Sequence, residues 1–152
     1  MTAESPLRRS FEVEGFRHGN NPIPAVSRIG GMIASGGIPG RDLETGALGA
    51  TLNDQCRLMF ALMEMVLAAA GAGLADVLKV TVYLKPGEDR GALNAAWLVA
   101  FPDEHSRPVR HVLNYDHLPG DMLIQCEFLA VADAESAAGA KKKWGPKPQK
   151  RI

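Results

Sequence analysis

The sequence predicts an α+β subunit, a mixed sheet with two helices on one face, in the order β-β-α-β-α-β-β. Three observations predict it. Apolar residues recur at helical spacing from Leu52 to Ala70 and again from Leu93 to Phe101. Alternating apolar and polar residues mark strands before, between and after those stretches. Strand–helix–strand units cross over right-handed, so two of them put both helices on the same side of the sheet.

Residues 1–18 form an N-terminal segment, and the alternation that starts at Phe11 reads as an edge strand over 11–18. Gly19-Asn20-Asn21-Pro22-Ile23-Pro24 is a loop, because proline lacks the ladder donor and keeps its predecessor out of the α region. Residues 25–35 read as one strand in which Gly30-Gly31 marks a bulge or a close backbone approach. Gly36-Gly37-Ile38-Pro39-Gly40 turns the chain, and residues 42–49 form a surface loop.

Thr51 can cap the first helix, with Asp54 three residues on. Its buried stripe is Leu52, Cys56, Met59, Phe60, Met63, Val66, Leu67 and Ala70, and Gly71 supplies the stop. Leu78–Leu84 alternates, with Leu78, Val80, Val82 and Leu84 on one face and Lys79, Thr81 and Tyr83 on the other. Pro86-Gly87 breaks the chain and Asp89 caps a second helix that buries Leu93, Ala96, Trp97, Ala100 and Phe101 before Pro102 ends it. Val109–Tyr115 and Met122–Val131 are two more strands, joined as a hairpin by His117-Leu118-Pro119-Gly120-Asp121. One domain thus spans residues 19–133, and residues 134–152 read as a basic, mobile tail.

The 152 residues suffice for one hydrophobic core, and a formal net charge of +0 provides no overall field for nucleic acid or an anionic membrane. Cys56 and Cys126 are too few and too far apart for a disulfide framework or a metal-ligand pattern, which fits a reducing cytoplasm. No apolar run follows Arg8-Arg9 as a secretory signal requires, and no stretch approaches the ~18 apolar residues of a membrane span. The last strand is apolar on both faces: Ile124, Cys126 and Phe128 on one, Leu123, Leu129 and Val131 on the other. Helices on one side leave the second face bare, so a further subunit is expected to cover it.

Several segments, in order, resemble the Rid (reactive intermediate deaminase, YjgF) family, also known as endoribonuclease L-PSP. Ser35-Gly36-Gly37-Ile38-Pro39 is similar to its Ser-Gly-Gln-Ile-Pro turn, and Asp54-Gln55 through Ala69-Ala70-Gly71 to its first helix. Val77-Leu78-Lys79-Val80-Thr81-Val82-Tyr83-Leu84-Lys85 resembles its Val-Val-Lys-x-Thr-Val-Phe-Leu-Lys strand. Asn94-Ala95-Ala96-Trp97, Pro108-Val109-Arg110, Leu118-Pro119 and Ile124-Gln125-Cys126-Glu127-Phe128-Leu129-Ala130 resemble the segments that complete the pattern. The resemblance runs from about Ala25 to Val131 and implies a chorismate-mutase-like subunit in a homotrimer with clefts between subunits.

It also implies a chemistry: hydrolysis of a 2-imino or enamine carboxylate to a 2-oxo acid and ammonia, with neither metal nor organic cofactor. Arg110 matches the arginine that grips the substrate carboxylate, a task suited to a planar fork of donors. The bland alternative is a salt bridge from Arg110 to Glu127. Backbone groups near Val112 would hold the reacting end, and Gly37, Ile38, Ile23, Asn94 and Arg90 fall at cleft positions. The chain departs from the pattern at the catalytic step. The water-orienting glutamate is Gln125, whose amide holds a water but cannot take its proton. Ile23 stands near the position of a cleft tyrosine, Gly37 replaces a glutamine, and Arg90 replaces a pocket phenylalanine. Arg107, His105, His111 and His117 read as surface or interface groups, and the two cysteines as packing.

The sequence therefore points to a deaminase of small carboxylate-bearing imines, with aminoacrylate or aminomuconate as substrate variants. The alternative is a non-catalytic trimer that binds 2-oxo acids through Arg110, for which Gln125 would suffice. Ribonuclease activity fits poorly with a neutral charge and a basic cluster confined to the tail.

Overall fold

The computed structural model describes residues 7–133, and the tail expected at 134–152 lies outside them. Seven strands form a single sheet: β1 (Arg9–Phe11), β2 (Val26–Ile29), β3 (Met32–Ser35), β4 (Ile38–Pro39), β5 (Val77–Leu84), β6 (Val109–Asn114) and β7 (Ile124–Val131). Their order is β1-β2-β3-β7-β5-β6, with β4 also paired to β7. Helices α1 (Leu52–Ala69) and α2 (Arg90–Ala100) follow β4 and β5.

Both helix starts are built as their caps require. Thr51 Oγ1 accepts from the Asp54 N–H at 3.1 Å, and Asp89 Oδ1 accepts from the Gly91 N–H at 3.0 Å. Gly71, at φ +84°, ends α1 in the left-handed region. The α1 stripe lies in the core apart from the half-buried Leu52, and Phe60 meets Trp97 of α2 and Phe101, the residue just after it, edge-on at 6.2 Å.

Four expectations change. Residues 25–35 are not one strand: Gly30, at φ +58°, and Gly31 make a two-residue turn between β2 and β3, with Ile29 opposite Met32. The edge strand lies at Arg9–Phe11, with Val13 and Phe16 bridged just after it. The β5 alternation fails at Leu78. A register shift between Val77 and Lys79 turns Val77 inward and leaves Leu78 exposed, as a bulge does. Finally, β6 and β7 form no hairpin: they flank β5, parallel and antiparallel to it respectively, and their connection crosses the end of that strand.

On the helix side, Ile124, Cys126, Phe128 and Ala130 of β7 are buried. The opposite face leaves Ile29, Met32, Leu113 and Val131 exposed around the half-buried Leu129. Among the described residues no helix is long and apolar enough to cross a membrane.

Two buried polar side chains stitch this frame together. Arg28 donates to the carbonyls of Gly30 (2.7 Å), Ala70 (2.9 Å) and Ala132 (3.2 Å), and to that of Asp133, joining the hairpin turn, the end of α1 and the end of β7. Gln55 Nε2 donates to the carbonyls of Gly49 and Asp121, and its Oε1 accepts from the Leu123 N–H at 2.9 Å. Every acceptor of Arg28 is a carbonyl oxygen and every partner of Gln55 is a backbone group, so each nitrogen and oxygen of these two buried side chains has a partner.

Candidate functional site

The residues singled out in the sequence fall into two groups on opposite sides of the sheet. Arg110 sits on edge strand β6 opposite Val80 of β5, so it points to the helix side, as does Val112 opposite Val82. Its Nη2 donates to Asn94 Oδ1 at 2.9 Å, and its guanidinium carbon lies 5.0 Å from the centre of the Trp97 ring. Asn94 and Trp97 are three residues apart on α2, one face of the helix, and Arg90 lies one turn before Asn94 on that face. Arg110 is half buried. Burial lowers its pKa from the usual arginine value and the charge of Arg90 lowers it further, yet it stays cationic at neutral pH.

The expected alternative, an ion pair with Glu127, does not form. Glu127 stands opposite Thr81, one residue out of phase with the Val80–Arg110 pair, and so faces the other side of the sheet. Among the described residues, no carboxylate lies within ion-pair distance of Arg110. Its orientation is set by a neutral amide and an aromatic face, and part of its donor fork remains unused.

The second group surrounds Gln125, half buried on the open face opposite Tyr83 and Pro39. Gly37 packs so closely there that a Cβ on it would come within 3.3 Å of the Gln125 amide. A glutamine at residue 37, as in the resembled pattern, would compete with Gln125 for that space, and glycine leaves it open. Ile38 is wholly buried in the core, so only its backbone can face a ligand. Ile23 is exposed at the rim of a cavity of about 300 Å³ that His18, Arg17 and Glu12 also line.

His18 is the residue that sequence reasoning missed. Its Nε2 lies 2.9 Å from the Gly37 carbonyl, and its ring packs against Phe16 at 4.9 Å. A carbonyl only accepts, so Nε2 carries the hydrogen and Nδ1 of the neutral ring keeps a lone pair. A ring nitrogen therefore stands at the carbonyl of Gly37, and the Gln125 amide packs where a Cβ of that residue would be. Nothing local in the sequence marks it, because the contact joins residues 19 apart through a loop.

Other groups have plainer roles. Arg107, read as a surface charge, donates from Nε to the Phe101 carbonyl at 2.7 Å and from Nη2 to the Pro102 carbonyl at 3.1 Å, stapling the end of α2. His105 and His117 pair with Glu104 and Asp116 on the surface, and His111 is exposed on the face opposite Arg110. Burial raises the thiol pKa of Cys56 to about 11 and pushes that of Cys126 higher still. Among the described residues no cluster of histidine, cysteine and carboxylates is placed to hold a metal ion.

The family profile described as endoribonuclease L-PSP matches residues 21–132, a span that contains both groups except His18. The chain belongs to the Rid family. Among Rid relatives, the RutC family protein of Pyrococcus abyssi is 33% identical over 110 residues, covering 72% of this chain and 85% of that protein. The 2-iminobutanoate/2-iminopropanoate deaminase of Salmonella typhimurium is 32% identical over 101 residues, 66% of this chain and 78% of that enzyme. The crystal structure of Escherichia coli TdcF with bound serine superposes with a TM-score of 0.75 at 24% identity, over 82% of this chain and 99% of that one.

Proposed function

We propose that the protein is a hydrolytic deaminase of 2-imino or enamine carboxylates, acting as a homotrimer whose sites are shared between subunits. The observation that carries this reading is Arg110: half buried, oriented by Asn94 and Trp97, and without a carboxylate among the described residues. The name of the Salmonella relative and the serine in TdcF, itself an α-amino carboxylate, support the same substrate class.

A site shared between subunits is supported by where the groups lie. Arg110 and Gln125 are on opposite faces and two strands apart, on the order of 10 Å across the ladder. One small substrate cannot reach both within a single subunit. A neighbour seated on the exposed apolar face covers Ile29, Met32, Leu113 and Val131 and brings its own Arg110 region toward Gln125, Gly37 and His18.

In such a cleft Arg110 fixes the carboxylate and Gln125 holds a water against the imine carbon. The water oxygen adds to that carbon, the C=N electron pair moves to nitrogen, and nitrogen takes a proton. The proton lost by the water cannot go to an amide, and the base assigned to it is His18, whose Nε2 is 2.9 Å from the carbonyl of Gly37, the residue packed on Gln125. The carbinolamine then collapses: its C–N bond breaks, ammonia leaves, and the hydroxyl gives up its proton as the 2-oxo acid forms.

Gln125 favours one other reading, a trimeric binder of 2-oxo acids that performs no chemistry. A coupled assay separates the two. An amino-acid oxidase generates 2-imino acids in the presence of semicarbazide, and the protein competes with the trap. Faster imine loss with wild type, abolished in Arg110→Ala, supports the deaminase. An inert wild type that gains activity as Gln125→Glu supports the binder.

A further inference from the structure

We propose, on the basis of the carboxylate-binding reading above, that the site takes a substrate with a second anionic group, a 2-imino dicarboxylate, and that Arg90 holds it. Residues 90, 94 and 97 of α2 are spaced as i, i+4 and i+7, which is one helix face. Two of the three touch Arg110: Asn94 through its Oδ1 at 2.9 Å and Trp97 through its ring face at 5.0 Å. The third, Arg90, therefore sits on the same face one turn toward the helix start, and its charge is felt at Arg110.

One guanidinium suffices for one carboxylate. A second beside it repels the first in the free protein, and nothing in the described residues offsets that. Glu88 and Asp89 precede Arg90, but neither forms an ion pair with it, and Asp89 Oδ1 is engaged as the helix cap on the Gly91 N–H. A cation in the first turn also opposes the helix dipole, so neither the fold nor α2 gains from this side chain. Its exposure leaves it free to swing toward a ligand. Arg90 stands one turn, about 5.4 Å along the axis, from Asn94, the residue that Arg110 contacts from β6, and two long cationic side chains reaching the same helix face from different elements suit the two carboxylates of a four- or five-carbon diacid.

Selectivity for diacids would then come from Arg90 alone, while Arg110 serves every 2-imino acid. The probes are oxaloacetate and 2-oxoglutarate against pyruvate and 2-oxobutyrate, titrated calorimetrically at fixed ionic strength into the full chain, since charge–charge selectivity falls with salt. Imines made from aspartate or glutamate and from alanine supply the matching kcat/KM values. Wild type is expected to favour diacids at least tenfold. Arg90→Leu is expected to bring the diacid-to-monoacid ratio to within twofold of unity, and Arg90→Lys to recover part of the preference. Equal handling of both classes by wild type, or a loss in Arg90→Leu that is equal for both, overturns the second-anion site while the deaminase reading stands. A wild type that neither binds nor converts any of these acids overturns both.

Discussion

Replacing Arg110 tests the reading at its most exposed point, because the size of the loss follows from the contacts. A carboxylate held by the fork accepts two charge-assisted hydrogen bonds, each worth about 1.5–3 kcal/mol once the partners leave water. Arg110→Ala removes both, a loss of roughly 3–6 kcal/mol, or about 10²- to 10⁴-fold in the Kd for a 2-oxo acid. Arg110→Lys keeps the charge but loses the planar fork and the stacked geometry over Trp97, so it is expected to recover only part of the loss. Stability should hardly move. The one hydrogen-bond partner left behind, Asn94 Oδ1, is on an exposed residue that water can satisfy, so the melting temperature is expected to shift by no more than about 2–4 °C. Calorimetric titration with 2-oxobutyrate, paired with a thermal melt, reads both quantities. An Arg110→Ala protein that binds like wild type refutes the anchor. A collapse in melting temperature shows instead that the arginine is structural.

Three further outcomes are expected. His18→Gln keeps a donor for the Gly37 carbonyl but cannot take a proton, so kcat is expected to fall about 10²- to 10⁴-fold with KM little changed. Steady-state kinetics of both proteins checks the split between kcat and KM. Gly40→Ala and Gly37→Ala separate fold from site. A Cβ at residue 40 falls on the Gln55 backbone and is expected to lower the melting temperature by on the order of 10 °C, whereas at residue 37 it meets only the movable Gln125 side chain and should cost activity with little stability. Cys56, with its thiol pushed up to about 11, is only about one part in a thousand thiolate at pH 8, and Cys126 less so, because burial holds both protonated. An aromatic disulfide reagent should therefore find no fast thiol in the folded protein and two after denaturation.

What the sequence made legible is local. Thr51 and Asp89 cap their helices through contacts two or three residues away, so the signal and its cause lie in the same short stretch. What it concealed depends on partners distant along the chain. Leu78 looks inward by alternation, and only the register imposed by β7 turns it out. Gly30-Gly31 fits a bulge or a turn equally well until Ile29 is found opposite Met32. Arg28, Gln55 and Arg107 bond to backbone groups, which every residue carries, so no pattern of side chains announces them. The same reason divides the site. Arg110 and Asn94 are recognisable by resemblance, while His18 acquires its place only through a loop that returns to Gly37.

The position of β7 governs how the chain reaches this state during synthesis. Among the described strands it is the last made and the one to which β3, β4 and β5 all pair. Until residues 124–131 clear the ribosome, the β2–β3 hairpin and the β5–α2–β6 unit have no strand to join them, and each exposes an unpaired edge. Assembly of the sheet thus waits for β7, with contacts between residues far apart in the chain closing together. A chain that stops before β7 carries every group discussed for Arg110 but no centre to build on. Such a fragment is a client for chaperones rather than a partly working protein.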